Sequence, residues 1–176
     1  MGLPEAAGKS FCQHFRIWTV NTDWLTFVIK FYLYPMSFEI QSAAEFIPQK
    51  SPFVLVDKLL YVDKKTSTCS FTIPDGNVFA DNGFYSTAGL VESMAQTAAA
   101  GTGYLSRQEN RPVPLGYIGS VQKLEVFDWP PVNTEIIMSM NLITNILQVS
   151  LVSGTVRLGE KILATCEMKI FVNSQL

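Results

Sequence analysis

One carboxylate stands out in this sequence because it lies in the middle of an apolar stretch. The segment from Ser86 to Arg107 reads STAGLVESMAQTAAAGTGYLSR, and Glu92 is its only acidic residue. Gln96 follows four positions later, which places both side chains on one face of a helix. A carboxylate withdrawn from water needs a hydrogen-bond donor or becomes neutral. Glu92 is therefore predicted to be a structural acceptor with a hidden donor or an acid that takes part in chemistry.

The element that carries this pair is predicted to be a long buried helix. Apolar residues surround the helical wheel instead of marking one stripe, which is typical of a helix enclosed on all sides. Either Ser86 or Thr87 can cap its start. The small residues of the second half, Ala98 to Gly103, would let another backbone approach closely.

Composition limits the function classes. The chain has 176 residues, of which 48% are hydrophobic and 16% charged, enough for one domain with a sizeable core. A net charge of −2 gives no reason to expect nucleic acid. The three cysteines, Cys12, Cys69 and Cys166, have no metal-type spacing and indicate free thiols in a reducing, cytoplasmic compartment. Neither a metal nor a cofactor is indicated, and His14 is the only histidine.

The first 35 residues differ from the rest. They are rich in aromatic residues, and Asn21, Asp23 and Lys30 interrupt the apolar run that a signal peptide or membrane span needs. We interpret residues 1–35 as an appendage or a start codon placed too early, and 36–176 as a complete domain. A peripheral membrane or partner-binding segment is the alternative, and an integral part of the core is the third possibility.

From Met36 onward the pattern predicts strands around the helix. Ala43–Ile47 is expected to be a short helix or turn, and Phe53–Val62 and Thr66–Ile73 are expected to be strands. Four long strands are predicted after the helix: Leu115–Phe127, one with Ile136, Met138, Met140 and Leu142 alternating, Gln148–Arg157 and Lys161–Val172. This order is α+β, with an antiparallel sheet curled around one long central helix. It resembles the hotdog fold, whose members usually pair and continue the sheet across a two-fold axis.

Four motifs carry a family resemblance across Phe46 to Val172. They are FIPQKSPFVLVDKLLYVDKK, LVESMAQTAAA, GYIGSVQKLEVFDWPPV and SGTVRLGEKILATCEMKIFV. In this order they resemble the 3-hydroxyacyl-acyl-carrier-protein dehydratases (FabA/FabZ-type). FADNGF followed closely by LVESMAQTAAA is also similar to the divergent dehydratase-like branch of aryl-polyene pigment clusters. The resemblance implies an acyl-thioester substrate on acyl-carrier protein or coenzyme A, in fatty-acid or polyene biosynthesis.

The resemblance also implies site residues, and here the sequence departs from the family. Dehydration needs a base for the Cα proton, an acid for the leaving hydroxyl and donors for the carbonyl oxygen. The family base is a histidine just before the helix, but that stretch, Phe79 to Tyr85, is about two residues short and lacks it, and the other family histidine is Gln49. The remaining candidates are Glu92 as the acid, Asp81 or Tyr85 in catalysis, and Gly83, Phe84, Gly89 and Gln96 in substrate binding.

Two function classes stay open from the sequence. One is an enzyme, either a dehydratase with impaired or partner-dependent activity or a hotdog acyl thioesterase. The other is a non-catalytic subunit that binds an acyl chain or carrier protein, as a homodimer or as a heterodimer with a paralogous hotdog protein. Arg107, Arg111 and Lys123 could meet an acidic carrier protein, although a solvated surface is their default interpretation.

Overall fold

A computed structural model of the protein describes residues 41–173. Nine strands and one long helix follow one another in this part of the chain. They are β1 Gln41–Ser42, a short 3-10 helix Ala43–Phe46, β2 Lys58–Val62, β3 Thr66–Thr72, β4 Ala80–Asp81, β5 Phe84–Tyr85, α1 Thr87–Gln108, β6 Leu115–Val126, β7 Glu135–Ile146, β8 Val149–Leu158 and β9 Lys161–Asn173. The expectations on residues 1–35, including His14 and Cys12, lie outside the described residues.

Seven of these strands form one antiparallel sheet that packs against α1. Their spatial order is β1-β2-β3-β7-β8-β9-β6, while β4 and β5 make a separate two-stranded ribbon before the helix. The predicted α+β hotdog arrangement, one antiparallel sheet around one long helix, is therefore confirmed. Ser86 caps the helix, since its side chain accepts from the Gly89 N–H at 3.3 Å.

The core lies between α1 and the inner sheet face. Side chains that alternate along β7 and β9, such as Met138 and Met168, are fully buried. Gly154 on β8 leaves room for Met94 of the helix, because a Cβ there would lie 2.6 Å from the Met94 sulfur. Cys69 and Cys166 are buried free thiols, as the sequence predicts. Burial raises the pKa of Cys69 to about 12 and that of Cys166 to about 11.

The predicted strand Phe53–Val62 is wrong in its first half, because β2 begins only at Lys58. The backbone of residues 53–55 forms hydrogen bonds with a side chain of α1 instead of with a neighbouring strand. The Leu55 N–H donates to Gln96 Oε1, and Gln96 Nε2 donates to the Phe53 carbonyl, both at 2.8 Å. The side chain of Gln96, distant in sequence, therefore replaces the strand pairing that the apolar run predicts.

The small residues of α1 do allow the close backbone approach expected of them. A Cβ on Gly103 would lie 2.2 Å from the Phe46 carbonyl oxygen, and a Cβ on Gly101 would lie 2.5 Å from Ser67 Cβ. These contacts bring the 3-10 helix and β3 directly onto the helix surface.

Strand β6 is at the edge of the described sheet and pairs only with β9. Two bulges interrupt this pairing, one at Gly119 and one at Lys123 and Leu124, and Lys123 has a φ of 49°. Within residues 41–173, no helix is long and apolar enough to cross a membrane.

Candidate functional site

One face of α1 borders a cavity of about 540 Å³, which we call the α1 cavity. Glu92, Ala95, Ala99 and Thr102 lie at helical spacing along this face. The opposite wall is the inner sheet face, and a third wall is formed by the first residues of β6 and the proline before them. These wall residues include Met140, Leu142, Val152, Ile170, Pro114, Gly116, Tyr117 and Ile118. The cavity is therefore mainly apolar, with Glu92 in its wall.

Gln96 fixes the orientation of Glu92. The Gln96 side chain is fully buried, and its Nε2 donates to Glu92 Oε1 at 2.9 Å as well as to the Phe53 carbonyl. Its Oε1 accepts from the Leu55 N–H, so both ends of the amide are occupied. Glu92 thus has the hidden donor expected of a structural acceptor and also lies in the wall of a cavity.

Tyr85 lies away from the cavity wall, beneath the first turns of α1. It is fully buried, and its hydroxyl is 2.8 Å from Ser93 Oγ. Burial raises the pKa of the Tyr85 phenol far above its ordinary value, so the phenol stays protonated near neutral pH. Gly89 is where the ring approaches the helix, because a Cβ there would lie 2.5 Å from Tyr85 Cζ.

The loop residues proposed from the sequence, Asp81, Gly83 and Phe84, lie in the ribbon before α1 or in its turn. Asp81 is exposed and accepts from Asn82 Nδ2 at 3.1 Å. Gly83 has a φ of 81°, and its carbonyl accepts from the Val132 N–H. The Phe84 side chain is 52% exposed. The structure therefore brings Glu92 and Gln96 together, while Asp81, Gly83, Phe84, Tyr85 and Gly89 do not line the α1 cavity.

Sequence reasoning missed three residues that line the cavity, Gln49, Lys64 and Lys65. Gln49 had a signal, because it occupies a histidine position of the dehydratase motif. The lysines had none, because only the fold brings the β2–β3 turn to the cavity opening. Asp63 shapes that turn by accepting from the backbone N–H groups of Lys65 (2.8 Å) and Thr66 (2.6 Å).

The cations proposed from the sequence are already engaged in ion pairs. Arg107 lies 3.6 Å from Glu45 and 4.6 Å above the Phe46 ring, and Arg111 pairs with Glu109. Lys123 lies 2.7 Å from Glu167. In contrast, Lys64 and Lys65 form no salt bridge with another residue in the range 41–173. The Asp63 carboxylate lines the same opening and interacts electrostatically with Lys65, so two ammonium groups face one carboxylate there. The same range contains no group of histidine, cysteine and acidic side chains that could hold a metal ion.

Solved structures similar to this chain share its fold. The dehydratase heterocomplex ApeI:P from Xenorhabdus doucetiae matches at 17% identity, 77% of this chain, 93% of that chain and a TM-score of 0.70. Protein PH1136 from Pyrococcus horikoshii matches at 12% identity with a TM-score of 0.57, over 73% of this chain and 96% of that chain. A hypothetical thioesterase with coenzyme A from Streptococcus pneumoniae TIGR4 matches at 7% identity with a TM-score of 0.54, over 66% of this chain and 85% of that chain. These identities establish the hotdog fold and no more.

Sequence comparison is more specific about the family. No curated protein matches the chain significantly. The family model ApeP-like, described as ApeP dehydratase, matches residues 41–176. This range contains the described strands, the helix and the α1 cavity. The chain belongs to the ApeP-like dehydratase family.

Proposed function

We propose that this chain is one subunit of a 3-hydroxyacyl-thioester dehydratase of fatty-acid or polyene biosynthesis, working with a partner hotdog subunit. One observation carries the proposal. Glu92 is held by Gln96 in the wall of an apolar cavity, whereas residues 41–173 contain no histidine. The chain therefore offers a positioned acid, and the imidazole base is supplied by the partner.

The chemistry divides naturally between two such groups. The partner's base takes the proton from Cα of the 3-hydroxyacyl thioester while the electron pair forms the new double bond. The bond between Cβ and the hydroxyl oxygen breaks, and protonated Glu92 gives its proton to the departing hydroxyl, which leaves as water. Removing either group from such a pair typically slows the reaction on the order of 10² to 10⁴-fold.

The free edge of the sheet supports a site shared between subunits. Gly116, Tyr117 and Ile118 belong to edge strand β6 and also line the α1 cavity. A second hotdog sheet paired along β6 would lie beside the cavity and could place a histidine near Glu92. Tyr117 is 59% exposed in the described chain, which gives such a partner an apolar surface to cover.

The cavity opening supports a carrier-bound substrate. Lys64 and Lys65 are exposed there without ion pairs among the described residues. Two ammonium groups against the single Asp63 carboxylate leave an excess of positive charge, which favours an acidic carrier protein or the phosphates of coenzyme A over a neutral carrier. The acyl-thioester end would then extend along α1 toward Glu92.

The test measures turnover of 3-hydroxyacyl carrier-protein substrates. Wild type and Glu92→Gln are assayed alone and mixed with a histidine-containing hotdog paralogue from the same gene neighbourhood. We expect slow turnover alone, fast turnover in the mixture, and a loss on the order of 10² to 10⁴-fold when Glu92→Gln replaces wild type in the mixture. Glu160→Gln, an exposed turn residue, serves as the matched control.

Three outcomes would contradict the proposal. Full-rate turnover by the lone protein would show that no partner base is needed. An unaffected mixture containing Glu92→Gln would leave the chain as a non-catalytic binding subunit. Release of free 3-hydroxy acid instead of the enoyl product would identify a thioesterase that uses Glu92 to activate water.

A further inference from the structure

A second polar group in the α1 cavity has no use in the chemistry above. Among residues 41–173, three buried side-chain oxygens have no hydrogen-bond partner: Gln49 Oε1, Ser70 Oγ and Ser120 Oγ. Gln49 is the only one of these three residues that lines the α1 cavity. A buried acceptor without a donor is costly, and native structures retain such groups mainly where a ligand, ion or water supplies the donor.

Packing of the preceding residues on α1 helps to place Gln49 there. Three residues before it, Phe46 contacts α1 so closely that Gly103 has no space for a Cβ. The Phe46 ring also packs edge-on against Tyr104 at 5.5 Å and carries the Arg107 guanidinium on its face. The segment that ends at Gln49 is thus anchored at its start, while the carboxamide can turn about its soft terminal torsion.

Glu92 supplies the acid in the same cavity. Its Oε1 accepts from Gln96, and none of the described residues donates to Oε2. The cavity therefore offers a ligand the proton of Glu92 and, once the Gln49 carboxamide turns toward it, one acceptor oxygen. A ligand with a hydroxyl to accept from Glu92 and a separate N–H to donate to Gln49 fits this arrangement.

We infer that Gln49 positions the substrate by accepting a hydrogen bond from an amide N–H of its pantetheine arm. This inference rests on the proposed function. A 3-hydroxyacyl thioester on such an arm carries a hydroxyl on the acyl side of the thioester and amide N–H groups on the other side. The hydroxyl is directed to Glu92, and the amide to Gln49. Gln49 transfers no proton and is a positioning residue.

The test uses stable 3-hydroxyacyl pantetheine analogues in which a thioether replaces the thioester. In two further analogues, an ester oxygen replaces one amide N–H each, which removes a single donor. Dissociation constants are measured for the full chain, alone and with the paralogue, for wild type and Gln49→Leu. Gln108→Leu, an exposed position at the end of α1, is the matched control.

We expect one ester analogue to bind wild type about threefold to tenfold more weakly than its amide parent, the effect of one neutral hydrogen bond. Gln49→Leu should bind parent and ester analogue equally, whereas Gln108→Leu should behave as wild type. Gln49→Glu keeps an acceptor oxygen and should keep the preference for the amide, which also covers the case in which Gln49→Leu folds poorly.

An ester analogue that weakens binding to wild type and Gln49→Leu by the same factor would overturn the inference. So would equal binding of all analogues by wild type. Either result leaves the role of Glu92 untouched, because that role is tested separately by the effect of Glu92→Gln on turnover. Loss of the Glu92 effect would instead overturn the proposed function on which the inference rests.

Discussion

Replacing Gln96 with leucine should show how much of the site one amide holds together. Three hydrogen bonds of 2.8 to 2.9 Å end on this side chain. The Leu55 N–H is left without a partner in a fully buried residue, which costs about 1–3 kcal/mol. Phe53 is half exposed, so its carbonyl can bind water, and the two remaining hydrogen bonds are worth about 0.5–1.5 kcal/mol each. We therefore expect Gln96→Leu to lower the free energy of unfolding by about 2–6 kcal/mol.

Urea unfolding followed by circular dichroism measures this loss, with Gln108→Leu as the control. The control changes the same residue type at an exposed end of the same helix and should stay within about 0.5 kcal/mol of wild type. Hydrogen exchange at the Leu55 amide gives a local readout, because its protection comes from Gln96 and not from a strand. A loss below about 1 kcal/mol, or an unchanged exchange rate at Leu55, would refute the conclusion that Gln96 holds the backbone of residues 53–55 against α1.

Two further predictions concern the thiols and the cavity opening. Burial raises the pKa of Cys69 to about 12 and that of Cys166 to about 11. Iodoacetamide should therefore label neither of these two thiols in the folded protein at pH 8. Rapid labelling of either one, measured by mass spectrometry, would contradict their burial. The folded state holds these protons more tightly than the unfolded chain, so their stabilising contribution is complete below about pH 9 and falls as pH rises toward 11–12. Reversing Lys64 and Lys65 to glutamate should slow carrier-protein association about tenfold at low salt. Lys161→Glu is the control, and an effect of the double reversal that does not shrink at high salt would argue against charge recognition.

The helix and its acid could be predicted from the sequence because their signals are local. Apolar residues around the helical wheel and the Ser86 cap predict a helix from Ser86 to about Arg107, against an observed Thr87–Gln108. Glu92 stands out because a carboxylate in an apolar helix needs a hydrogen-bond donor or must become neutral. Gln96 follows from helical spacing alone, and both residues meet in the structure as that spacing implies.

The remaining features depend on contacts between distant parts of the chain. An apolar run over 53–56 is compatible with a strand, and only Gln96, about forty residues later, shows why the backbone of residues 53–55 leaves the sheet. Gln49 reaches the cavity because Phe46 packs against a helix glycine. The two lysines reach it because a turn formed by Asp63 ends beside the helix. None of these contacts leaves a periodic signal in the sequence.

The two bulges in β6 have a consequence for which chains can associate with this one. They divide the edge into short regular stretches, 115–118, 120–122 and 125–126, separated by residues without a partner in β9. A regular strand from an unrelated protein can therefore keep its register for only a few residues before the hydrogen-bonding pattern shifts. A true partner must reproduce the same irregularities or compensate for them with side-chain contacts. The positions of the bulges thus determine which strands can pair with this edge. They protect a sheet that would otherwise accept any extended segment.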